Sequence, residues 1–85
     1  MQTLSQVLLM VILYTTSWCG YCREARAFLL ARNIPFREYD IEQDAKAMVA
    51  MQVAGGRRGV PFAIINGSKL HGFSQDAYMQ ALGRR

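Results

Sequence analysis

The chain has 85 residues and a net charge of +4, with 52% hydrophobic and 19% charged residues, which excludes a disordered or coiled-coil protein. That length supports one core and not two, so residues 1–85 are expected to form a single domain. The basic residues are scattered, only Arg57-Arg58 and Arg84-Arg85 being adjacent, and this argues against nucleic acid as a partner and for small anionic thiols or acidic protein patches.

The apolar run Val7 to Tyr14 predicts a central strand covered on both faces. No Lys or Arg precedes it and no cleavage site follows it, and it is too short to span a bilayer, so a cytoplasmic location without a membrane partner is expected. From about Cys19 to Arg32, Cys22, Ala25, Phe28 and Leu29 recur at three and four, the spacing of an amphipathic helix that Asn33 and Pro35 end. Phe36 to Ile41 gives a second strand, with Tyr39 and Ile41 on one face and Phe36 on the other, completing a right-handed parallel βαβ unit.

A second helix is expected from about Asp44 to Val53, its spacing marked by Ala45, Met48, Val49 and Gln52, with Gly55-Gly56 closing it. Met48, Met51 and Met79 read as gap-fillers in or near the core, and Phe36, Tyr39 and Phe62 as core aromatics. Pro61 lacks a ladder donor, so the strand it opens, Pro61 to Ile65, is placed at an edge or a bend. Asn66-Gly67 is a hairpin turn signal that returns Ser68 to His71 antiparallel. Ser74 can cap a last helix, with Asp76 in its positive first turn and Gly83 at its end. The order βαβαββα is an α/β fold, a four-stranded mixed sheet flanked by helices in the thioredoxin-like arrangement.

Chemistry concentrates at Trp18-Cys19-Gly20-Tyr21-Cys22, which holds both cysteines of the chain. On a first helical turn, Cα atoms three apart lie about 5 Å from one another, within the range a disulfide accepts. Such a pair in a reducing compartment, next to an α/β pattern, reads as a redox motif. Cys19 would sit at the helix N-terminus, where unpaired N–H groups and the macrodipole favour a thiolate. Cys22, one turn in on the apolar stripe, would have its pKa raised by burial. Cys19 is therefore the expected nucleophile and Cys22 the resolving thiol.

An intrachain zinc site would want four ligands, and only His71 is left to join the cysteines. His71 itself reads as a surface imidazole. Arg23 and Arg26 either add positive potential or are solvated, and Trp18 either shapes docking or covers the helix start. No carboxylate precedes the helix, so any nearby base must come from elsewhere in the fold.

Tyr14-Thr15, Trp-Cys-Gly-Tyr-Cys, the stretch Gly56 to Pro61 and Gly72-Phe73, in that order, make the chain resemble a glutaredoxin over roughly Met10 to Leu82. The resemblance implies a thiol–disulfide oxidoreductase that uses glutathione as reductant on glutathionylated and other disulfide proteins, acting as a monomer in cell redox homeostasis and electron transport. It implies a cis Val60–Pro61 bond facing the cysteines, where spacing alone would leave an ordinary trans proline. It also makes Tyr21, Arg57, Val60, Pro61, Phe73, Ser74 and Gln75 the candidates to bind substrate. In that reading the Val60 backbone meets the cysteinyl part, Arg57 holds the glycyl carboxylate, and Ser74 and Gln75 receive the γ-glutamyl carboxylate at a helix N-terminus.

Three departures from the family pattern are visible. Thr16 stands where many members carry Lys, and Phe73, Ser74 and Gln75 replace a second Gly and an acidic residue. A Gly-Phe there is closer to small members fed by thioredoxin reductase. Gly20 replaces a common Pro and leaves the turn more flexible. Members with Gly or Ser at that position resemble carriers of a [2Fe–2S] cluster bridging a homodimer, with Cys19 as the metal ligand from each chain together with glutathione.

Overall fold

The apolar run becomes a strand at β1, Val11–Thr15, in a computed structural model that describes residues 10–83. Val7 to Leu9, the start of the predicted strand, lie outside the described residues. Alternation sends Val11 and Leu13 to one face and Ile12 and Tyr14 to the other, and both faces are covered. β1 pairs in parallel with β2 (Arg37–Asp40) and antiparallel with β3 (Phe62–Ile65), which in turn pairs antiparallel with β4 (Ser68–His71). The sheet order is β2-β1-β3-β4, a four-stranded mixed sheet.

Three helices complete the βαβαββα order: α1 (Gly20–Ala31), α2 (Ala45–Val53) and α3 (Gln75–Leu82). α1 ends as its sequence dictates. Asn33 takes a left-handed φ of 57°, its N–H donates to the Leu30 carbonyl and that of Ile34 to the Leu29 carbonyl, a Schellman closure. The hydroxyl of Ser74 accepts from the Ala77 N–H at 3.3 Å, and a carboxylate oxygen of Asp44 accepts from the Ala47 N–H at 3.1 Å, so both helices start on a side-chain cap. Asn66 and Gly67 are both left-handed, at φ 50° and 88°, as the tight β3–β4 hairpin requires.

α1 and α3 cover one face of the sheet, where Ala25, Phe28, Leu29, Tyr78 and Ala81 pack on Val11, Leu13, Ala63 and Ile65. α2 covers the other with Ala47 and Met51 against Tyr14, Ile41 and Phe62. Phe36 packs against the first core and Tyr39 against the second, on the faces expected.

Two expectations need correction. The buried face of α2 is Ala47 and Met51, with Met48 half-buried, whereas Val49 of the predicted stripe is exposed. Ala and Val surround that helix almost evenly, so its sequence carries little directional signal. Met79 lies on the open side of α3 rather than in the core. Of the two places expected for Pro61, the structure takes the bend and not the edge, since β3 lies between β1 and β4. It stands one residue ahead of the strand, so no ladder bond asks for its missing N–H, while its carbonyl accepts from the Gly72 N–H at 2.9 Å. Among the described residues, no helix is long and apolar enough to cross a membrane.

Candidate functional site

Cys19 is the N-cap of α1, with φ −87° and ψ 117°. Its sulfur takes the place a Ser hydroxyl would fill, accepting the Cys22 N–H at 3.1 Å. That bond uses one of the amide donors a helix start leaves unpaired, and it favours negative charge on the sulfur. The Cys19 thiol also faces the Val60 carbonyl at 3.9 Å. The Val60–Pro61 bond is cis, as the resemblance implied.

Cys22 is wholly enclosed, while Cys19 keeps 8% of its surface, and both are free thiols. Burial pushes the Cys22 thiol up to about 12, helped by its hydrogen bond with Cys19 and opposed by the Thr16 backbone and the Arg26 charge. The two sulfurs are thus chemically unequal: the outer one is supplied with a donor, and the inner one is held protonated.

The carboxylate that sequence could not place is Glu38, delivered by β2. Arg26 forks onto it, Nε to Oε1 at 2.8 Å and Nη2 to Oε2, and Thr15 Oγ1 donates to Oε2 at 2.8 Å. The Arg26 hydrogen bond holds the Glu38 carboxyl below its usual range, with that of Thr15 adding to it against burial. Arg26 is therefore anchored, with its charge acting on both Cys22 and Cys19. A cavity of about 410 Å³ opens here, between the Thr16-Ser17 bend, Arg23 and Arg26 of α1, and Glu38 and Asp40 of β2.

The remaining candidates are brought together only in part. Val60 lies against Cys19, and the Gly72–Pro61 bond sets the start of the Phe73-Ser74-Gln75 segment beside the cis-proline. Phe73 is half-buried, its ring 5.7 Å from that of Phe28 and 4.9 Å from that of Tyr78, so much of it serves packing. Tyr21, Arg57 and Gln75 are exposed, with no hydrogen bond or ion pair holding them among the described residues. Trp18 is 67% exposed and is tethered by its indole N–H to a Glu42 carboxylate oxygen at 2.9 Å, so it does not cover the helix start.

Thr16, which stands where many family members carry Lys, and Tyr78, which sequence reasoning passed over, each bury a hydroxyl. Thr16 Oγ1 and Tyr78 OH are buried and have no hydrogen-bond partner. Nothing in a sequence signals a hydroxyl left without a partner.

A family model described as Glutaredoxin matches residues 11–70. A Mycobacterium tuberculosis protein described as a glutaredoxin is 48% identical over 50 residues, 58% of this chain and 60% of that one. The chain thus spans about 60% of the length of the curated relatives that head the comparison. Glutaredoxin 3 of Escherichia coli is 32% identical over 62 residues, 73% of this chain and 75% of its own. A crystal structure of a thioredoxin-like protein superposes with a TM-score of 0.78 at 25% identity, covering 84% of this chain and 97% of that chain. Family match, relatives and fold agree with the thiol pair at the head of α1, and the chain belongs to the glutaredoxin family.

Proposed function

We propose that this chain is a glutathione-dependent thiol–disulfide oxidoreductase in which Cys19 attacks and Cys22 resolves. The observation that carries the reading is the inequality of the two sulfurs, one accepting a backbone N–H at a helix start and the other fully enclosed. Family membership supports thiol–disulfide oxidoreductase chemistry in general.

On a glutathionylated protein, the Cys19 thiolate attacks the glutathione sulfur. A Cys19–glutathione disulfide forms, and the protein thiolate leaves and takes up a proton. A second glutathione thiolate then attacks that disulfide, releasing oxidised glutathione and restoring Cys19. Burial raises the Cys22 thiol, so little of it is ionised near neutral pH and this one-cysteine route competes well for such substrates. On an intramolecular protein disulfide, Cys22 attacks the mixed disulfide at Cys19 instead, and two glutathiones later reduce the Cys19–Cys22 bond.

Exposed Arg57 and Tyr21, the backbone at Val60 and Pro61, and Phe73, Ser74 and Gln75 at the start of α3 are proposed to hold glutathione. Their support is the Cys19–Val60 contact and the Gly72–Pro61 bond, which bring the two backbone segments toward the sulfur. A glutathione-coupled NADPH assay with a glutathionylated substrate tests the reading. Turnover with glutathione reductase upholds it, whereas turnover only with thioredoxin reductase assigns the electrons to that reductase.

Gly20 favours one further reading, a homodimer bridged by a [2Fe–2S] cluster. A Cβ at that position would meet only the tip of Arg23 at 3.8 Å, so the approach beside the outer sulfur is open. Cys19 would be the ligand from each chain, and the cluster, when bound, would supply one-electron chemistry or be carried as cargo.

A further inference from the structure

Trp18 is the single tryptophan of the chain and directly precedes the attacking cysteine, yet 67% of it lies open to solvent. The indole is nevertheless fixed, because its N–H donates to a Glu42 carboxylate oxygen at 2.9 Å. Solvent already offers an exposed indole N–H its hydrogen bonds, so what the carboxylate adds is orientation. Strand order explains how Glu42 reaches the ring. β1 and β2 run parallel with Thr15 opposite Asp40, and the Ile41 N–H donates to the Thr15 carbonyl at 3.0 Å. The turn after β2 therefore lies at the same end of the sheet as the segment from Thr16 to Cys19. β3 flanks β1 on the other side and follows Val60, whose carbonyl faces the Cys19 sulfur at 3.9 Å. Cys19 is thus bracketed, with the backbone ahead of the cis-proline on the β3 side and the tethered indole on the β2 side. Only 8% of Cys19 is open, so a disulfide that reaches its sulfur brings its flanking chain down against these walls.

We propose that Glu42 is a positioning residue that holds Trp18 as a fixed apolar contact for disulfide-bearing polypeptides, selecting those with a large apolar side chain beside the cysteine that Cys19 attacks. The inference rests on the attacking role given to Cys19 above. A Trp side chain offers a large, rigid contact area, and the Glu42 bond orders it before substrate arrives, so less freedom is lost on docking. Substrates without a flanking side chain gain nothing from the indole. On a polypeptide disulfide, the Cys19 thiolate attacks one substrate sulfur, and the other leaves as a thiolate and takes up a proton. Cys22 then gives up its proton, and its thiolate attacks the Cys19 sulfur. The Cys19–Cys22 bond forms, the bond from Cys19 to the substrate breaks, and the second substrate sulfur takes up a proton. The protein dithiol is oxidised and the substrate disulfide reduced by the same two electrons. The indole makes and breaks no bond, and its effect is confined to which polypeptide docks.

The test mixes reduced protein with either of two disulfide-cyclised peptides that differ only in carrying Leu or Gly beside each cysteine, and counts reduced peptide by acid quench and chromatography. The parent should react about 3- to 10-fold faster with the Leu peptide, as burial of part of one apolar side chain implies. Trp18→Ala and Glu42→Ala should bring that ratio toward one by slowing the Leu peptide alone. Glu42→Gln, whose amide oxygen still accepts from the indole, should keep it. Because Trp18 is the single tryptophan, the indole bands of the near-ultraviolet circular dichroism should weaken in Glu42→Ala and persist in Glu42→Gln, a signature that a general loss of stability would not produce. Equal rates for the two peptides in the parent, or an unchanged ratio in Glu42→Ala, overturn the proposal. If Trp18→Ala does not fold, Glu42→Ala carries the test with the ring in place. Peptide reduction that survives in Cys19→Ser separates the two readings, since it removes the attacking role itself.

Discussion

The backbone N–H of Cys22 points at the sulfur of Cys19 from 3.1 Å, so the turn that spaces the pair also supplies its outer member with a donor. Ser is a favourable N-cap, and Cys19→Ser should keep the cap and the thermal midpoint while abolishing disulfide reduction. Cys22→Ser should keep turnover on a glutathionylated peptide and lose it on an intramolecular protein disulfide. Equal loss in both variants on the glutathionylated peptide would contradict the one-cysteine route.

Thiol modification should be strongly ordered. At pH 7 to 8, iodoacetamide should add one label, at Cys19, with Cys22 unlabelled until the fold opens, and peptide mass spectrometry checks the assignment. Stability should follow the same asymmetry. Because the Cys22 thiol is pushed up to about 12, the folded chain keeps a proton that the unfolded chain loses from near the ordinary thiol value of 9.0. Stability therefore falls as pH rises through that window, and urea midpoints should fall more steeply in the parent than in Cys22→Ala.

At the acid end, the sign reverses. Glu38 is held below the usual carboxylate range by Arg26, so its contribution is present above the unfolded value and is lost as pH falls through the folded one. Glu38→Gln should show a weaker loss of stability on acidification than the parent.

Gly56 is fixed by space. A Cβ there would stand 2.6 Å from Met51 Cγ and 2.7 Å from the Phe62 ring, beneath the stretch that leads to the cis-proline. Gly56→Ala should cost about 1–3 kcal/mol of stability by overpacking. The thermal midpoint should drop by roughly 4–8 °C per kcal/mol in a chain of this size.

Arg57 is exposed and holds no partner among the described residues, so its charge is available to a ligand. Arg57→Ala should raise KM for glutathione severalfold with kcat unchanged, and added salt should shrink the difference between the two proteins. A matching fall in kcat would place Arg57 in the chemistry instead.

What the sequence revealed was local. Asn33, Asn66-Gly67 and Ser74 act on the backbone within a few residues, and each does in the structure what its chemistry dictates. The spacing of Cys22, Ala25, Phe28 and Leu29 likewise names the buried face of α1. What stayed hidden depends on strand order or on three-dimensional closure. Pro61 opens an interior strand because β3 inserts between β1 and β4, which no dipeptide announces. The Arg26–Glu38 pair forms because β2 lies alongside β1 and brings Glu38 under α1. On α2, where apolar residues run nearly all round, only the sheet decides that Met51 turns inward and Val49 outward.

The sheet separates two cores that share no side chain, one under α1 and α3 and the other under α2. Leu29 and Met51 can therefore be altered together with nearly additive effects, whereas Leu29 and Tyr78 should show coupling in a double-mutant cycle. The two halves meet at Val60, which packs on the α2-side core and faces the Cys19 sulfur at 3.9 Å, so a change on that flank reaches the thiols through this one residue.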